Sequence, residues 1–183
     1  MRAIEVTAPI RLALEMGPKK EVAMALARLK EYLDRNNIKY VVISHSPAYT
    51  AQGIAGLAHI PGKELAKTVI VKLDGQLVMA VLPAMFHVDL EMLRKVTNAK
   101  TTALASEEEF KDRFPECETG AMPPFGNLYD LAVFADESLA KDKEIAFNAG
   151  SHRELIRMAW EDFKMLADPK LIRFAAGQGA KAA

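Results

Sequence analysis

The chain has 183 residues, of which 50% are hydrophobic and 26% charged, and its 24 Lys+Arg balance 24 Asp+Glu. That length fits one sizeable core, since domains commonly run to about 100–200 residues, and the composition is that of an ordinary globular protein. Zero net charge excludes a basic field over the whole molecule, so any nucleic-acid partner must be held by a local patch. Cys117 stands alone and excludes an intrachain disulfide, which fits a reducing compartment. The apolar run from Leu77 to Met85, broken by Pro83, falls short of the roughly 18 residues of a membrane helix. The opening Met1-Arg2-Ala3-Ile4-Glu5, with Pro9 close behind, offers no signal-peptide core. A cytoplasmic protein is expected, with a leader over 1–18, one domain over 19–174 and a disordered tail over 175–183.

Lys19 to Asn37 reads as a helix, with Val22, Leu26, Leu29 and Leu33 on one face and Asn36-Asn37 as its stop. Lys39 to His45 reads as a strand. Ser46 to Tyr49 is then a turn, and Thr50 caps a short helix through Ala58, ended by Pro61-Gly62. The clearest local signal follows. Thr68 to Val71 and Leu77 to Val81 flank Asp74-Gly75, a pair suited to a tight hairpin because both central residues need positive φ. Lys67 stands at the entrance of this hairpin.

Asp89 to Asn98 reads as a helix with Leu90, Leu93 and Val96 on one side, and Thr101 to Leu104 as a short strand. Ser106-Glu107-Glu108-Glu109 is a capping box that starts a helix running to about Phe114, which Pro115 closes. Pro115 to Asn127 is too irregular for an element and too apolar for a solvated linker, so it should fold against something. Leu128 to Phe134, Glu144 to Phe147 and Leu155 to Met158 read as strands, with Asn148 to His152 as a turn. Trp160 to Ala167 is a last helix turn or two, ended by Asp168-Pro169, and Leu171 to Phe174 a final strand. The expected fold class is α/β in the α+β sense, a curved, mixed, partly barrel-like sheet surrounded by helices. A doubly wound nucleotide-binding sheet is disfavoured, because neither Gly-x-Gly-x-x-Gly nor a phosphate-loop sequence occurs.

Few residues advertise chemistry by themselves. Lys67 opens an apolar strand, where a lysine either faces solvent as an edge gatekeeper or turns inward to a pocket; the pattern alone favours solvent. Ser151 and His152 are adjacent, so in a strand-like stretch they point to opposite faces and cannot form a Ser–His pair. His45, His59, His87 and His152 lack metal-ligand spacing, and no metal or cofactor is expected. Cys117 lies between Glu116 and Glu118, which oppose a thiolate. Glu107 to Glu109 is explained by the capping box. Gly120 to Gly126 and Ala149-Gly150-Ser151 could bring backbone N–H groups to a phosphate or an oxyanion, or simply make turns.

Taken in order, four segments are informative: His45-Ser46-Pro47-Ala48, Ala66-Lys67-Thr68-Val69-Ile70-Val71, Gly120-Ala121-Met122-Pro123-Pro124-Phe125-Gly126 and Phe147-Asn148-Ala149-Gly150-Ser151-His152. Together they resemble the YbaK/prolyl-tRNA-synthetase-associated domain family, over roughly Ala25 to Phe174. The resemblance implies that family's curved mixed sheet and hydrolysis of the ester bond of a mischarged tRNA, commonly tRNA for proline or another tRNA carrying a small amino acid. It makes Lys67 the catalytic residue, reversing the solvent reading. His45, Gly120, Ala121, Pro123, Pro124, Phe125, Gly126, Gly150, Ser151 and His152 become the substrate-binding set. The family's usual mechanism has no protein nucleophile: a ribose hydroxyl of the tRNA helps to activate water, and the enzyme supplies positioning, a cation and N–H donors. The implied partner is an aminoacyl-tRNA acceptor end, with a synthetase as a second partner, and neither a membrane nor DNA.

Two departures limit the transfer. Asp130 stands where many relatives of this branch have glycine, and Ala149-Gly150-Ser151-His152-Arg153 replaces the basic loop of the cysteine-specific members, so cysteine-specific editing is not implied. Arg153 reads either as a phosphate contact or as a solvated residue. The alternative to a deacylase is a module that keeps the fold and binds a nucleotide, an amino acid or a regulatory partner without turnover.

Overall fold

The computed structural model describes residues 18–46 and 60–177. Helix α1, Pro18–Arg35, buries Ala25, Leu29 and Leu33 and stops where Asn37 turns into the left-handed region at φ 56°. Strand β1, Tyr40–Ser44, follows. The helix expected over Thr50 to Ala58 lies outside the described residues, as do Pro47 and Ala48 of the first motif.

The hairpin forms as its sequence requires. Strands β2, Ala66–Leu73, and β3, Gln76–Pro83, pair antiparallel around Asp74 at φ 50° and Gly75 at φ 84°. After β4, His87–Val88, helix α2 spans Leu90–Thr97. Asp89 is its N-cap, accepting from the Met92 N–H at 2.8 Å, and Asn98 closes it at φ 55°. Strand β5 is Thr102–Leu104. The capping box then places the Glu109 carboxylate on the Ser106 N–H at 2.8 Å. Helix α3, Glu107–Phe110, is only one turn, tightening into a 3-10 turn over Lys111–Arg113 before Pro115.

The chain order ends with β6 (Ala132–Asp136), β7 (Glu144–Asn148), β8 (Glu154–Ala159), α4 (Trp160–Ala167), β9 (Lys170–Ile172) and β10 (Ala175–Ala176). Two expectations need correction. Strand β6 begins after Leu131 and not at Leu128, because Gly126–Leu128 is a 3-10 turn and Asp130 takes φ 54°, which no strand residue adopts. The tail does not fray from Ala175: Ala175 and Ala176 pair with Val88 and His87, and Asp136 Oδ2 accepts from the Phe174 and Ala175 N–H groups at 2.8 and 2.7 Å.

Five strands form a mixed sheet in the order β5-β2-β3-β6-β9, antiparallel over β5-β2-β3 and parallel over β3-β6-β9. A second sheet, β1-β8-β7, is antiparallel. The two open sheets meet at one parallel bridge, Leu65 to Ala146, and the larger sheet is mixed as expected. Between them lies the main core. Ile70, Met79, Val81 and Val133 meet Ile145, Phe147, Ile156 and Met158, closed by Leu29 and Leu33 of α1 and Trp160 and Phe163 of α4. The outer face of the larger sheet carries Val71, Val78, Ala80, Leu82 and Phe134, covered by Leu93 and Phe174. No described helix is long and apolar enough to cross a membrane.

Candidate functional site

Lys67 faces Leu82 across the hairpin. Alternation along β2 puts it on the face of Leu65, Val69 and Val71, the side away from the main core. Its side chain is half-buried. Burial lowers the ammonium pKa from its ordinary 10.5, and no described carboxylate opposes that drift. An apolar strand therefore carries a partly desolvated cation that has no hydrogen bond or ion pair among the described residues.

The bridge between the sheets says what stands beside it. Leu65 and Ala146 are parallel partners, fixed by the Ala146 N–H donating to Glu64 O at 2.9 Å. Both belong to a small apolar cluster with Ile60, Ala84 and Leu155. Two residues on along each strand, on that same face, stand Lys67 and Asn148. Asn148 also pairs with Leu155, which pairs with Ile43, so the face continues across the smaller sheet towards His45. His45 joins the sheet through its N–H to Arg153 O at 2.9 Å. Its Nδ1 lies 2.7 Å from Ser46 O, a carbonyl that accepts a hydrogen bond from the ring N–H. Asn148 Oδ1 and His45 Nε2 are both buried without a hydrogen-bond partner among the described residues.

From Asn148 the chain passes directly into the second glycine loop, and this loop is clasped to the first. Glu118 N–H donates to Gly150 O at 2.9 Å, and Gly150 N–H to Ala121 O at 3.0 Å. Glu118 Oε2 accepts from the His152 N–H at 2.6 Å, and the ring Nε2 of His152 donates to Thr119 O at 2.9 Å. Gly150 is required, because at φ 98° a Cβ would come within 2.5 Å of Ala25 Cβ. Gly120 shows φ 84° and is exposed.

This geometry divides the sequence-derived set. The second loop is brought to Lys67's end of the sheet by β7, and Gly120 is held against that loop. Ala121, Pro123, Pro124, Phe125 and Gly126, however, are buried. Phe125 is wholly inside, edge-on to Tyr32, Phe147 and Phe163 at 6.0, 5.6 and 5.5 Å between ring centroids. A Cβ on Gly126 would lie 2.2 Å from Leu131 O. The apolar part of that loop is a plug in the main core, where its hydrophobicity is satisfied. Of the N–H groups considered as oxyanion donors, those of Gly150 and His152 are already engaged, whereas Gly120 N–H meets only the thioether of Met122 at 3.3 Å.

Ser151 is buried, with its hydroxyl 3.3 Å from Glu154 Oε2, and it makes no pair with His152. The Cys117 thiol is pushed up to about 11, chiefly by burial, with the Glu116 charge adding to it and the Tyr129 hydroxyl at 3.5 Å opposing it. Glu118 is not among the causes; its carboxylate is turned to His152. Glu109 is held down to about 2, first by the Lys72 ammonium at 2.6 Å and then by Ser106, as a helix start requires. A cavity of about 480 Å³ opens at the far end of the hairpin between Asp74, Gln76, Val96 and Lys170, and contains none of these groups. Sequence reasoning missed Asn148 and Glu118. The available signal for Asn148 was a polar residue ending the apolar run Ile145-Ala146-Phe147, and for Glu118 only its place two residues before Gly120.

Residues 45–166 match the family described as aminoacyl-tRNA editing domain. The multifunctional Ser/Thr-tRNA deacylase ProXp-y of Escherichia coli (strain K12) is 29% identical over 152 residues, covering 80% of this chain and 90% of that protein. Among solved structures, a putative trans-editing enzyme for prolyl tRNA synthetase superposes with a TM-score of 0.71 at 19% identity, covering 84% of this chain and 98% of the other. A hypothetical protein, APE2540, gives 0.72 at 16% identity, with 81% and 99% covered.

Proposed function

Because the chain belongs to the aminoacyl-tRNA editing domain family, we propose that it works in trans, as a free-standing enzyme that strips a small amino acid from a mischarged tRNA. It is a hydrolase acting on an ester bond, an aminoacyl-tRNA deacylase. Serine and threonine are the first substrates to test, after the E. coli relative's name, with tRNA for proline as the first acceptor. The acting unit is the single domain, which runs through the paired Ala175 and Ala176, in the cytoplasm beside the synthetase whose errors it removes.

The observation that carries this reading is Lys67, a half-buried cation with no carboxylate partner among the described residues. An ion left unneutralised in a partly dry strand is available to an anion that arrives with the substrate, a phosphate or the developing carbonyl oxyanion. Water adds to the ester carbonyl carbon, activated by a ribose hydroxyl of the tRNA. The carbon–oxygen bond to the ribose then breaks, and the ribose oxygen leaves with a proton. Lys67 holds the negative charge between these events, and Gly120 N–H, relieved of its weak thioether contact, is a second donor.

Hydrolysis of Ala-, Cys-, Ser- and Thr-tRNA by wild type and by Lys67→Ala is the test. Wild type should release at least one amino acid far faster than its spontaneous loss, with Lys67→Ala slowed about 100-fold or more. No turnover above the spontaneous rate would defeat the deacylase reading, and an unimpaired Lys67→Ala would defeat the role of this lysine.

A further inference from the structure

Asn148 is a polar group on this face that the mechanism leaves unused. It ends β7 at the mouth of the second glycine loop, on the Lys67 face, and its Oδ1 is buried without a hydrogen-bond partner among the described residues. A buried acceptor that meets no donor among the described residues is open to a donor that arrives with a ligand. An aminoacyl ester bears complementary groups a few atoms apart. Its carbonyl accepts, and its α-ammonium, on the adjacent carbon, donates and is positively charged. Lys67 suits the first and repels the second. Asn148 suits the second, since an amide oxygen takes an ammonium proton without adding charge to a partly dry face. His45 Nε2, also buried without a partner among the described residues, lies beyond Leu155 and Ile43, further from the lysine.

We infer that Asn148 recognises the free α-ammonium of the aminoacyl group, so that the site distinguishes an aminoacyl ester from an N-blocked one. This rests on the deacylase reading for its substrate class, and the contact is testable without turnover. One probe pair is 3′-seryl-amido-3′-deoxyadenosine, which cannot be hydrolysed as an ester, and its N-acetyl derivative. Wild type binds the free-amine compound about 10–100-fold more tightly, the range for one hydrogen bond to a charged group, and Asn148→Ala binds the two alike. In turnover, Asn148→Ala lowers kcat/KM for Ser-tRNA by a similar factor and leaves N-acetyl-Ser-tRNA unchanged.

The free variant supplies a control that a structural role would fail. Since Asn148 Oδ1 meets no donor among the described residues, Asn148→Ala melts at or above the wild-type temperature. Equal binding of the two probes by wild type, or equal loss with both substrates in Asn148→Ala, would overturn the inference. Selective probe binding by a protein that turns over no aminoacyl-tRNA would uphold it while the deacylase reading fell.

Discussion

Asp136 and Lys67 are charged residues of the same five-stranded sheet, and they live differently. Asp136, 3% exposed, accepts from Ser138 N–H and Oγ at 3.0 and 2.5 Å and from Phe174 and Ala175 N–H at 2.8 and 2.7 Å. Burial pushes its pKa up, but these hydrogen bonds outweigh burial and hold it below the ordinary 3.8. Lys67 has burial alone, and its pKa falls. The charge of Asp136 is filled by groups of the fold, whereas that of Lys67 meets no partner among the described residues. The same contrast separates the two glycine-containing loops, since Ala121 to Gly126 is a sealed core plug and the Asn148 end of β7 keeps a bare acceptor.

The contrast breaks first, and most severely, if the plug proves functional. Phe125→Ala should cost about 3–5 kcal/mol of stability in denaturant unfolding, with the specific activity of the folded fraction kept. A stable Phe125→Ala protein lacking activity would return Phe125 to the substrate set. Asp136→Ala should come next, at about 3 kcal/mol, because it strands buried N–H donors of Phe174 and Ala175. The sign of the pH effect follows. A depressed carboxylate pKa gives stability that is present above the unfolded value near 3.8 and lost as pH falls through the lower folded value. Melting curves should therefore converge for wild type and Asp136→Ala on acidification below about pH 4 and separate above it.

Gly150→Ala places a Cβ against Ala25 at φ 98°, and should lower stability by about 1–3 kcal/mol while loosening the loop clasp. The smallest effect belongs to Glu118. Glu118→Ala should reduce kcat about tenfold, KM changing less, and speed exchange of the His152 amide, with Glu118→Gln restoring both through its remaining acceptor. Unchanged amide exchange in Glu118→Ala would show that the carboxylate does not hold the loop.

What sequence could and could not reveal follows from the range of each interaction. The Asp74-Gly75 hairpin, the Ser106 capping box and the Asp89 start of α2 are local devices, written in adjacent residues, and each stands where its residues put it. Strand β10 is carried by main-chain pairing of Ala175 and Ala176, which have no side-chain pattern to read. Leu128 to Leu131 has the apolar look of a strand, but the 3-10 turn over Gly126–Leu128 and the positive φ of Asp130 delay β6 to Ala132. The neighbourhood of Lys67 depends on one bridge between residues far apart in the chain, Leu65 and Ala146, so Asn148 could not be seen to stand near the lysine. Family resemblance singled out Lys67 and, with it, Phe125, which the fold buries in the core; a short motif does not say which of its residues face inward.

The central claim is that Lys67 is left unpaired for the substrate's negative charge. The most direct measurement is single-turnover hydrolysis of Ser- and Thr-tRNA by Lys67→Met alongside its thermal melt and the pH–rate profile of the wild type. The account predicts a loss of about 100-fold or more in rate, a melting temperature at or above that of wild type, and wild-type activity that declines as pH rises through a lysine pKa below 10.5. A Lys67→Met protein that melts lower and hydrolyses as fast as wild type would contradict it.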